Sequence, residues 1–325
     1  MRAEILAALR ETDGFVSGQD LCEKFNVSRT AVWKAINQLK KEGYEINAIQ
    51  NKGYQLTHTP DILSKDELES VIKTTWAGHP VCYFEETEST NVVAKNYGDI
   101  EYPHGTLIVA DTQKSGRGRK GKVWSSPKGE GIWMSLLLKP DLNPSNASML
   151  TLVTALAVVK AVEEITNLAA RIKWPNDIVV NGKKICGILT EMSAQRDYIN
   201  HLVIGVGVNV HTKEFPEECA NIATSIYLES KKEQNRSQLI QAIWKNFEIY
   251  YDVFMQTQDF SVLMKEYNAY LINRNEKVKV LDGKDTFEGK AMGINEKGEL
   301  IVDTWEARRL VFSGEVSVRG VYGYV

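Results

Sequence analysis

The pattern of apolar and polar positions divides the chain into a helical first part, a long mixed middle and a last part of short strands. The first 43 residues contain three runs with the spacing of short amphipathic helices, and a turn at Asn26-Val27 separates the second from the third. The third run has one apolar stripe, formed by Val32, Ala35, Ile36 and Leu39. Its other side is predicted to face outward and carries Arg29, Thr30, Trp33, Lys34 and Asn37.

The ends of these helices have the residues that helix ends prefer. Ser17 and Ser28 are predicted N-caps, and Gly43 stands where a glycine commonly ends a helix. Two strands follow around a turn at Asn51-Lys52-Gly53. Three helices followed by a small hairpin resemble a winged helix-turn-helix.

This first part is also locally basic, with five basic residues and no acidic one between Lys24 and Lys41. In a winged helix-turn-helix one helix enters the major groove and the wing contacts the adjacent backbone. The alternative is a helical protein-interaction module with a solvated basic face. The residues predicted to contact DNA are Ser28, Arg29, Thr30, Trp33, Lys34, Asn37 and Lys52.

Beyond a polar stretch at 57–65, which contains Pro60 and is interpreted as a linker, strands and helices are mixed. Strands outnumber helices and many join by hairpin-like turns, which predicts a mixed sheet backed by helices. Predicted strands include 83–90, 106–113 and 201–210, with three more in 171–193; predicted helices are 91–97, 147–166, 236–256 and 259–272.

From residue 275 onward the pattern changes to five short strands separated by tight turns, typical of a small SH3-like β-barrel. The turns are predicted at Asp282-Gly283, Lys297-Gly298 and Ser313-Gly314. The predicted domains are therefore 1–60, 61–274 and 275–325, and the predicted fold class is α+β.

Composition limits the class of protein. A net charge of −3 argues against general binding to nucleic acid, although a local basic face remains open. The four cysteines are far apart and form no CxxC pair, which predicts free thiols in a reducing compartment. Since no apolar stretch has the length of a membrane span, the sequence predicts a cytoplasmic protein that does not enter a membrane.

The strongest chemical signal is the glycine-rich basic segment Ser115–Trp124, SGRGRKGKVW, which directly follows a predicted strand. Glycines allow a backbone to approach a ligand closely, and clustered basic side chains favour an anion. GRGRKG also fits the dinucleotide pattern G-x-G-x-x-G, but the continuation KVWSSPKGEG cannot begin the helix that this pattern requires. The alternative is a solvated flexible loop.

Together with ESTN, KWPNDIVVNGKKICGILTE and GVGVNV, this segment resembles the signature motifs of biotin protein ligases. With the N-terminal winged helix, the whole chain resembles the bifunctional biotin ligases that also repress biotin operons. The resemblance implies a central sheet of the class II synthetase type. It implies that biotin and ATP, with Mg²⁺, form biotinyl-adenylate, and that biotin then passes to a lysine of a biotin carboxyl carrier domain. It further implies operator DNA as a partner and a homodimer promoted by ligand.

The resemblance also assigns residues. The lysine that faces the reacting carboxylate and α-phosphate would be Lys184, with Arg117 and Arg119 as its catalytic partners. The implied biotin-binding residues are Ser89, Thr90, Asn91, Gln113, Arg117, Gly118, Arg119 and Lys184. The implied nucleotide-binding residues are Arg119, Lys120, Lys122, Trp124, Lys173, Asn176 and Asn209. No protein metal ligand is assigned.

Several alternatives remain open at this stage. Lysine at 120 and 122 loses the bidentate geometry of arginine, which leaves open which of the two contacts the nucleotide. Trp124 is alternatively a core aromatic residue. Asp177 orients a ligand, helps to hold magnesium or fixes the turn at Pro175. Glycines that interrupt strands, at 187, 205 and 207, are interpreted as marking close approach of a ligand.

Two other functions are compatible with parts of the pattern. One is a lipoate or octanoate ligase of the same fold, and the other is a transcription regulator whose ligand domain senses without catalysis. The intact basic segment and Lys184 argue against the second. Because an acyl-adenylate hydrolyses readily, segment 115–124 is expected to order over it and exclude water.

Overall fold

The computed structural model describes residues 1–282, 285–314, 316–321 and 323–325. These residues form two compact units, Met1–Lys73 with Asn235–Gln241 and Thr74–Gln234 with Ala242–Val325. The turn predicted at Asp282-Gly283 lies partly outside the described residues. Among the helices of the described residues, none combines the length and apolarity needed to cross a membrane.

The first unit has the predicted order of three helices and a hairpin. Its elements are α1 (Arg2–Glu11), α2 (Gly18–Phe25), α3 (Arg29–Lys41), β1 (Glu45–Ile49), β2 (Gly53–His58) and α4 (Lys65–Val71). Both predicted caps are confirmed, because Ser17 Oγ accepts from Gln19 N at 3.1 Å and Ser28 Oγ accepts from Ala31 N at 3.2 Å. The apolar stripe of α3 is buried as predicted.

The sequence interpretation did not anticipate α4, which begins where the polar linker was expected to end. Ser64 caps this helix by accepting from the backbone N–H of Glu67 at 3.1 Å. The Glu67 side chain is fully buried and accepts three hydrogen bonds, from Arg10 Nη2 at 2.6 Å, from the Tyr44 hydroxyl at 2.5 Å and from Ser237 Oγ at 2.6 Å. The segment that directly follows the predicted linker therefore supplies a buried charge to the interior of this unit.

The second unit contains a seven-stranded mixed sheet, which confirms the predicted architecture. Its strands are β3 (Val81–Thr87), β4 (Thr106–Gln113), β5 (Gly131–Leu138), β6 (Arg171–Lys173), β7 (Asp177–Val180), β8 (Lys183–Ala194) and β9 (Ile199–Asn209). The strand order is β3-β4-β5-β9-β8-β7-β6. Only β3 and β4 pair in parallel, and the other neighbours in this sheet are antiparallel.

Helices accompany this sheet, and the longest of those confined to the second unit is almost entirely apolar. The helices are α5 (Thr90–Asp99), α6 (Met149–Thr166), α7 (Ile226–Ser230), α8 (Arg236–Thr257) and α9 (Met264–Tyr270). The predicted start of the last helix near residue 259 was wrong. Asp259 accepts from the backbone N–H of Ser261 at 2.9 Å and forms a local turn, so that helix begins only at Met264.

The last part of the chain is a five-stranded antiparallel sheet, as its short strands predicted. The strands are β10 (Lys277–Asp282), β11 (Asp285–Ile294), β12 (Leu300–Asp303), β13 (Arg308–Val311) and β14 (Ser317–Gly320), in the order β13-β12-β11-β10-β14. The turn at Lys297-Gly298 is confirmed, since Gly298 has a φ of 73°. Closure of the strands into an SH3-like barrel stays a prediction.

Candidate active site

One large cavity in the second unit, of about 1130 Å³, collects polar and charged side chains from the strands of the central sheet. Gln113 and Asn209 end β4 and β9, Lys173 ends β6, and Asp177 begins β7. Lys184 lies near the start of β8. Sheet topology therefore gathers side chains that are far apart in the sequence.

One wall of the cavity is a chain of neutral hydrogen bonds. Gln113 Oε1 accepts from the backbone N–H and the hydroxyl of Thr90, at 2.9 Å and 3.1 Å, and Gln113 Nε2 donates to Ser126 Oγ at 2.8 Å. Behind them the fully buried Ser135 hydroxyl lies 2.7 Å from Thr90 Oγ1 and 2.6 Å from Asn91 Oδ1. Because the partners are fixed by β4 and β5, this wall presents its polar atoms in one arrangement.

Asn91 is held from two further sides. Its Nδ2 donates to Glu191 Oε2 at 2.8 Å and more weakly to the Leu189 carbonyl at 3.4 Å. Glu191 in turn pairs with Lys95. A Cβ at position 205 would lie 2.1 Å from Asn91 Oδ1, so Gly205 is required by Asn91 itself.

The basic segment is a short hairpin. The backbone N–H of Trp124 donates to the Gly116 carbonyl at 2.8 Å, and that of Gly118 donates to the Lys122 carbonyl at 2.7 Å. Lys120 lies at the tip in the left-handed region, with a φ of 56°. The side chains of Arg117, Lys120 and Lys122 are exposed at the cavity.

Arg119 is the member of this hairpin that turns inward. Its Nη1 donates to Asn176 Oδ1 at 2.9 Å, and its Nη2 donates to the carbonyls of Ser313 and Val316 at 3.2 Å each and to that of Gly314. Burial lowers the pKa of Arg119, partly offset by the charge of Asp177, but a guanidinium stays charged at neutral pH. The side chain thus links the hairpin to β7 and to the segment before β14.

The indole of Trp124 lines the cavity and lies over two of the three strand glycines. A Cβ at Gly207 would be 2.6 Å from Trp124 Nε1, and a Cβ at Gly187 would be 2.9 Å from its Cζ3. In the described structure these glycines therefore make room for Trp124, and Gly205 for Asn91. The buried Nε1 of Trp124 has no hydrogen-bond partner within the described residues.

A cluster of charges forms another part of the cavity wall. Lys184 Nζ lies 2.5 Å from Asp177 Oδ1, Lys173 Nζ lies 4.0 Å from Asp177 Oδ2, and the Tyr324 hydroxyl donates to Oδ2 at 2.5 Å. Burial raises the pKa of Asp177, but the two lysines outweigh it and the pKa lies below its usual value. For the 5% exposed Lys173, burial dominates the attraction of Asp177 and lowers the pKa to about 8.

All the residues that the motifs assigned to biotin and to the nucleotide line this one cavity. Some make specific contacts with the protein: Asn176 Nδ2 donates to the Ile188 carbonyl at 3.0 Å and Asn209 Nδ2 to the Thr224 carbonyl at 3.1 Å. Ser89 precedes α5 without a side-chain cap. The individual roles of these residues stay predictions.

The sequence interpretation missed Tyr324, which lines the cavity, and three residues that hold lining side chains from behind: Ser126, Ser135 and Glu191. Ser135 gives a weak signal, since it is the one hydroxyl in the otherwise apolar strand GIWMSLLL. No sequence pattern distinguishes Glu191 or Ser126 from polar residues expected at the surface. Tyr324 lies more than 100 residues from the Asp177 that it contacts, and no local pattern could associate the two.

The residues predicted to contact DNA lie at the start of α3, along it and in the β1–β2 turn. Trp33 is 58% exposed, and Arg29 donates to Gln19 Oε1 at 2.9 Å and 3.2 Å, which ties α3 to α2. Ser28, Thr30, Lys34 and Lys52 are also exposed, and Asn37 is half-buried. Their outward position is as predicted, and their contact with DNA stays a prediction.

Comparison with known proteins identifies the three parts of the chain. Residues 83–209 match the Biotin/lipoate A/B protein ligase family, residues 2–55 match an HTH domain, and residues 275–319 match the Biotin protein ligase C terminal domain. In structure, the chain resembles "Biotin protein ligase from Aquifex aeolicus in complex with biotin and ATP", with a TM-score of 0.67 and 33% identity over 74% of this chain and 99% of that one.

Two curated relatives match almost end to end. The "Bifunctional ligase/repressor BirA" of Bacillus subtilis (strain 168) is 41% identical over 94% of both chains, and that of Escherichia coli (strain K12) is 25% identical over 97% of this chain and 96% of the relative. This chain has, in order, a helix-turn-helix, a mixed sheet and a small C-terminal sheet. The chain belongs to the bifunctional ligase/repressor family of biotin protein ligases.

Proposed function

We propose that the cavity activates biotin with ATP and that the chain then attaches biotin to a protein. A carboxylate oxygen of biotin attacks the α-phosphorus, the bond between the α-phosphorus and the bridging oxygen breaks, and pyrophosphate leaves. A lysine amine of a biotin carboxyl carrier domain then attacks the acyl carbon and releases AMP, with loss of one proton from the amine. The products are a biotinyl-lysine amide, pyrophosphate and AMP.

The observation that carries this proposal is the placement of a neutral hydrogen-bonding wall and a cationic wall in one cavity. Thr90, Asn91 and Gln113 suit the ureido group of biotin, which has both donors and acceptors. Lys173, Lys184 and Arg119 suit the carboxylate and the phosphates. The first step brings one anion against another, so fixed positive charge is the contribution that this reaction most needs.

The roles we assign follow from this division. Lys184 faces the reacting carboxylate and α-phosphate, because its ammonium reaches the cavity and is held beside Asp177. Arg117 and Arg119 neutralise carboxylate and phosphate oxygens, and Lys120 and Lys122 do the same from the exposed tip of the hairpin. Trp124, whose indole lines the cavity, covers the adenylate. Closure of the hairpin over the adenylate protects the anhydride from water.

Magnesium enters this proposal with the nucleotide. Among the described residues, no three His, Cys, Asp or Glu side chains come together as a metal site. Asp177 already lies between two ammonium groups, which does not favour a cation. Mg²⁺ commonly keeps several waters and binds through substrate phosphates, and when bound it neutralises their charge.

The transferase step has a direct test. Mass spectrometry of a carrier domain, incubated with this protein, biotin, ATP and magnesium, is expected to show one added biotinyl group on a lysine. Parallel incubations with lipoate or octanoate in place of biotin test whether the chain is instead one of the alternative ligases of the same fold. Transfer of lipoate or octanoate in preference to biotin contradicts the proposal, and transfer of none of the three supports the non-catalytic sensor.

We further propose that the first unit binds operator DNA and that the adenylate promotes a homodimer in the cytoplasm. When acceptor is scarce the adenylate persists, and a ligand that favours one state shifts the population toward it. The affinity for operator DNA in a gel shift is expected to rise when biotin and ATP are added. If the affinity for operator DNA does not change at saturating biotin and ATP, the proposed switch is wrong, but the proposed ligase activity is unaffected.

A further inference from the structure

Tyr324 lies in the cavity at the point where the positive charges meet their single shared carboxylate. Its hydroxyl donates to Asp177 Oδ2 at 2.5 Å, and the centre of its ring is 4.1 Å from Lys173 Nζ. A cation over an aromatic ring is attracted by the negative face of the ring. One side chain therefore contacts both an acid and a base of the site.

The backbone around Tyr324 holds it in this place. A Cβ at Gly320 would lie 2.0 Å from the Val325 carbonyl oxygen, so residues 323–325 pack directly on the end of β14. A Cβ at Gly182, in the turn between β7 and β8, would lie 3.2 Å from Val325 Cγ2. The end of β14 and the turn between β7 and β8 thus both contact the segment that carries Tyr324.

The contacts divide the oxygens of Asp177 between the two lysines. Oδ1 lies beside Lys184, while Oδ2 accepts from Tyr324 and keeps Lys173 at 4.0 Å. The pKa of Tyr324 is raised by burial and by the Asp177 charge, so the hydroxyl keeps its proton and remains a donor. Without this donor, Oδ2 would be left to the Lys173 ammonium alone.

We propose that Tyr324 is a positioning residue: it fixes the Asp177 carboxylate and limits its pairing with Lys173, so that Lys173 and Lys184 stay available to anionic ligands. When an anion draws Lys184 from Oδ1, the Tyr324 hydroxyl still satisfies the buried carboxylate. The catalytic part of this proposal rests on the proposed ligase function. The geometric part does not.

The test compares Tyr324→Phe, which keeps the ring over Lys173, with Asp177→Asn and the double variant. Loss of the hydroxyl draws Oδ2 toward Lys173, so the KM for ATP in biotin-dependent pyrophosphate exchange is expected to rise about tenfold. The alkaline limit of the reaction moves to higher pH, while the Kd for biotin is unchanged. Tyr198→Phe, at a 51% exposed tyrosine that does not line the cavity, is the matched control.

A readout independent of activity follows the Lys173 ammonium by NMR of the lysine ε-carbons, with Lys173→Arg to assign the signal. The other groups that face Lys173 are Asp177, Lys184, Arg319 and Arg119, and they are the same in both proteins. We expect Lys173 to titrate at higher pH in Tyr324→Phe than in the wild type. If the wild type has no ligase activity but Lys173 still titrates at higher pH in Tyr324→Phe, the positioning role of Tyr324 is supported and only the proposed ligase function is wrong.

Two results would overturn the proposal. One is an unchanged Lys173 titration in Tyr324→Phe. The other is a double variant in which the effect of Tyr324→Phe is as large in the Asp177→Asn background as in the wild type, because a residue that acts through Asp177 has little left to do when that charge is absent.

Discussion

Glu67 in the first unit and Asp177 in the second are both buried carboxylates that accept from a tyrosine hydroxyl and lie beside a basic side chain. Around Glu67 the charges match, with Arg10 as its ion-pair partner and hydroxyls filling the remaining positions. Burial and the Glu67 charge raise the pKa of Tyr44, which keeps its proton and remains a donor. The charges of this cluster balance, although the buried Nε of Arg10 has no hydrogen-bond partner among the described residues.

Asp177 differs because two ammonium groups share it. Lys173 and Lys184 both lie within 4.0 Å of its oxygens. When all three side chains are ionised, this mostly buried cluster has a net charge of +1. An uncompensated buried charge is costly unless a counter-charge arrives. The comparison teaches that a buried carboxylate stabilises a fold when the positive charge of its partners equals its own negative charge. When the positive charge of the partners is greater, the cluster is prepared to bind an anion.

The largest effect should come from removing the charge that faces the reaction. Lys184→Ala is expected to slow adenylate formation about 100- to 1000-fold, as the loss of a fixed charge-stabilising donor usually does. Pyrophosphate exchange in the presence of biotin measures this rate. The adjacent exposed Lys183 provides the control Lys183→Ala. A Lys184 variant as active as its control contradicts the role assigned to this lysine.

Glu67→Gln tests the other side of the comparison. It removes the charge that pairs with Arg10 while keeping the size of the side chain, and should lower the free energy of unfolding of the first unit by about 3 kcal/mol. Denaturant unfolding measures this loss, and biotin-dependent pyrophosphate exchange should be unchanged. Glu69→Gln on the same helix is the control, since its pair with Lys65 at 3.5 Å is exposed. Equal stability of the two variants would count against a structural role for Glu67.

The depressed pKa of Lys173 gives a pH dependence with a defined sign. Because burial lowers the pKa to about 8, the positive charge is present below that pH and is lost as the pH rises through it. At pH 9 about one-tenth of Lys173 is protonated, so kcat/KM for ATP should fall about tenfold from its plateau. Lys173→Arg should remove this fall, and the exposed Lys122→Arg should leave it in place. A fall that persists in Lys173→Arg must arise from another group.

Much of the fold and the assembly of the site followed from the sequence, because the signals are local. Strand β4 has the predicted bounds 106–113, and Ser17 and Ser28 cap helices as predicted. The motif residues were expected in one site, and they do line one cavity. Their relative placement needs the sheet order β9-β8-β7-β6, which the hairpin turns between these strands indicate.

What the sequence could not supply are contacts between distant positions. No local pattern marks Glu67, which follows the predicted linker, as a buried residue, and Arg10 and Tyr44 contact it from distant positions of the chain. The strand glycines were interpreted as sites of ligand approach, whereas Gly207 accommodates Trp124 and Gly205 accommodates Asn91. In each case a side chain far away in sequence decides the role, and periodicity carries no information about it.

The smallest expected effect concerns the outer surface of the unit that Glu67 holds together. Lys34 is exposed on α3 and is predicted to contact DNA. Lys34→Ala should reduce the slope of log affinity against log salt by about 1 and weaken binding uniformly across sequences, because one phosphate contact is lost. Lys65→Ala, at an exposed lysine on α4, is the control. Fluorescence anisotropy over a range of salt concentrations measures both slopes. If the two variants change the slope equally, the basic side of α3 is a general charged surface, and the functional charge of this unit must be sought elsewhere on it.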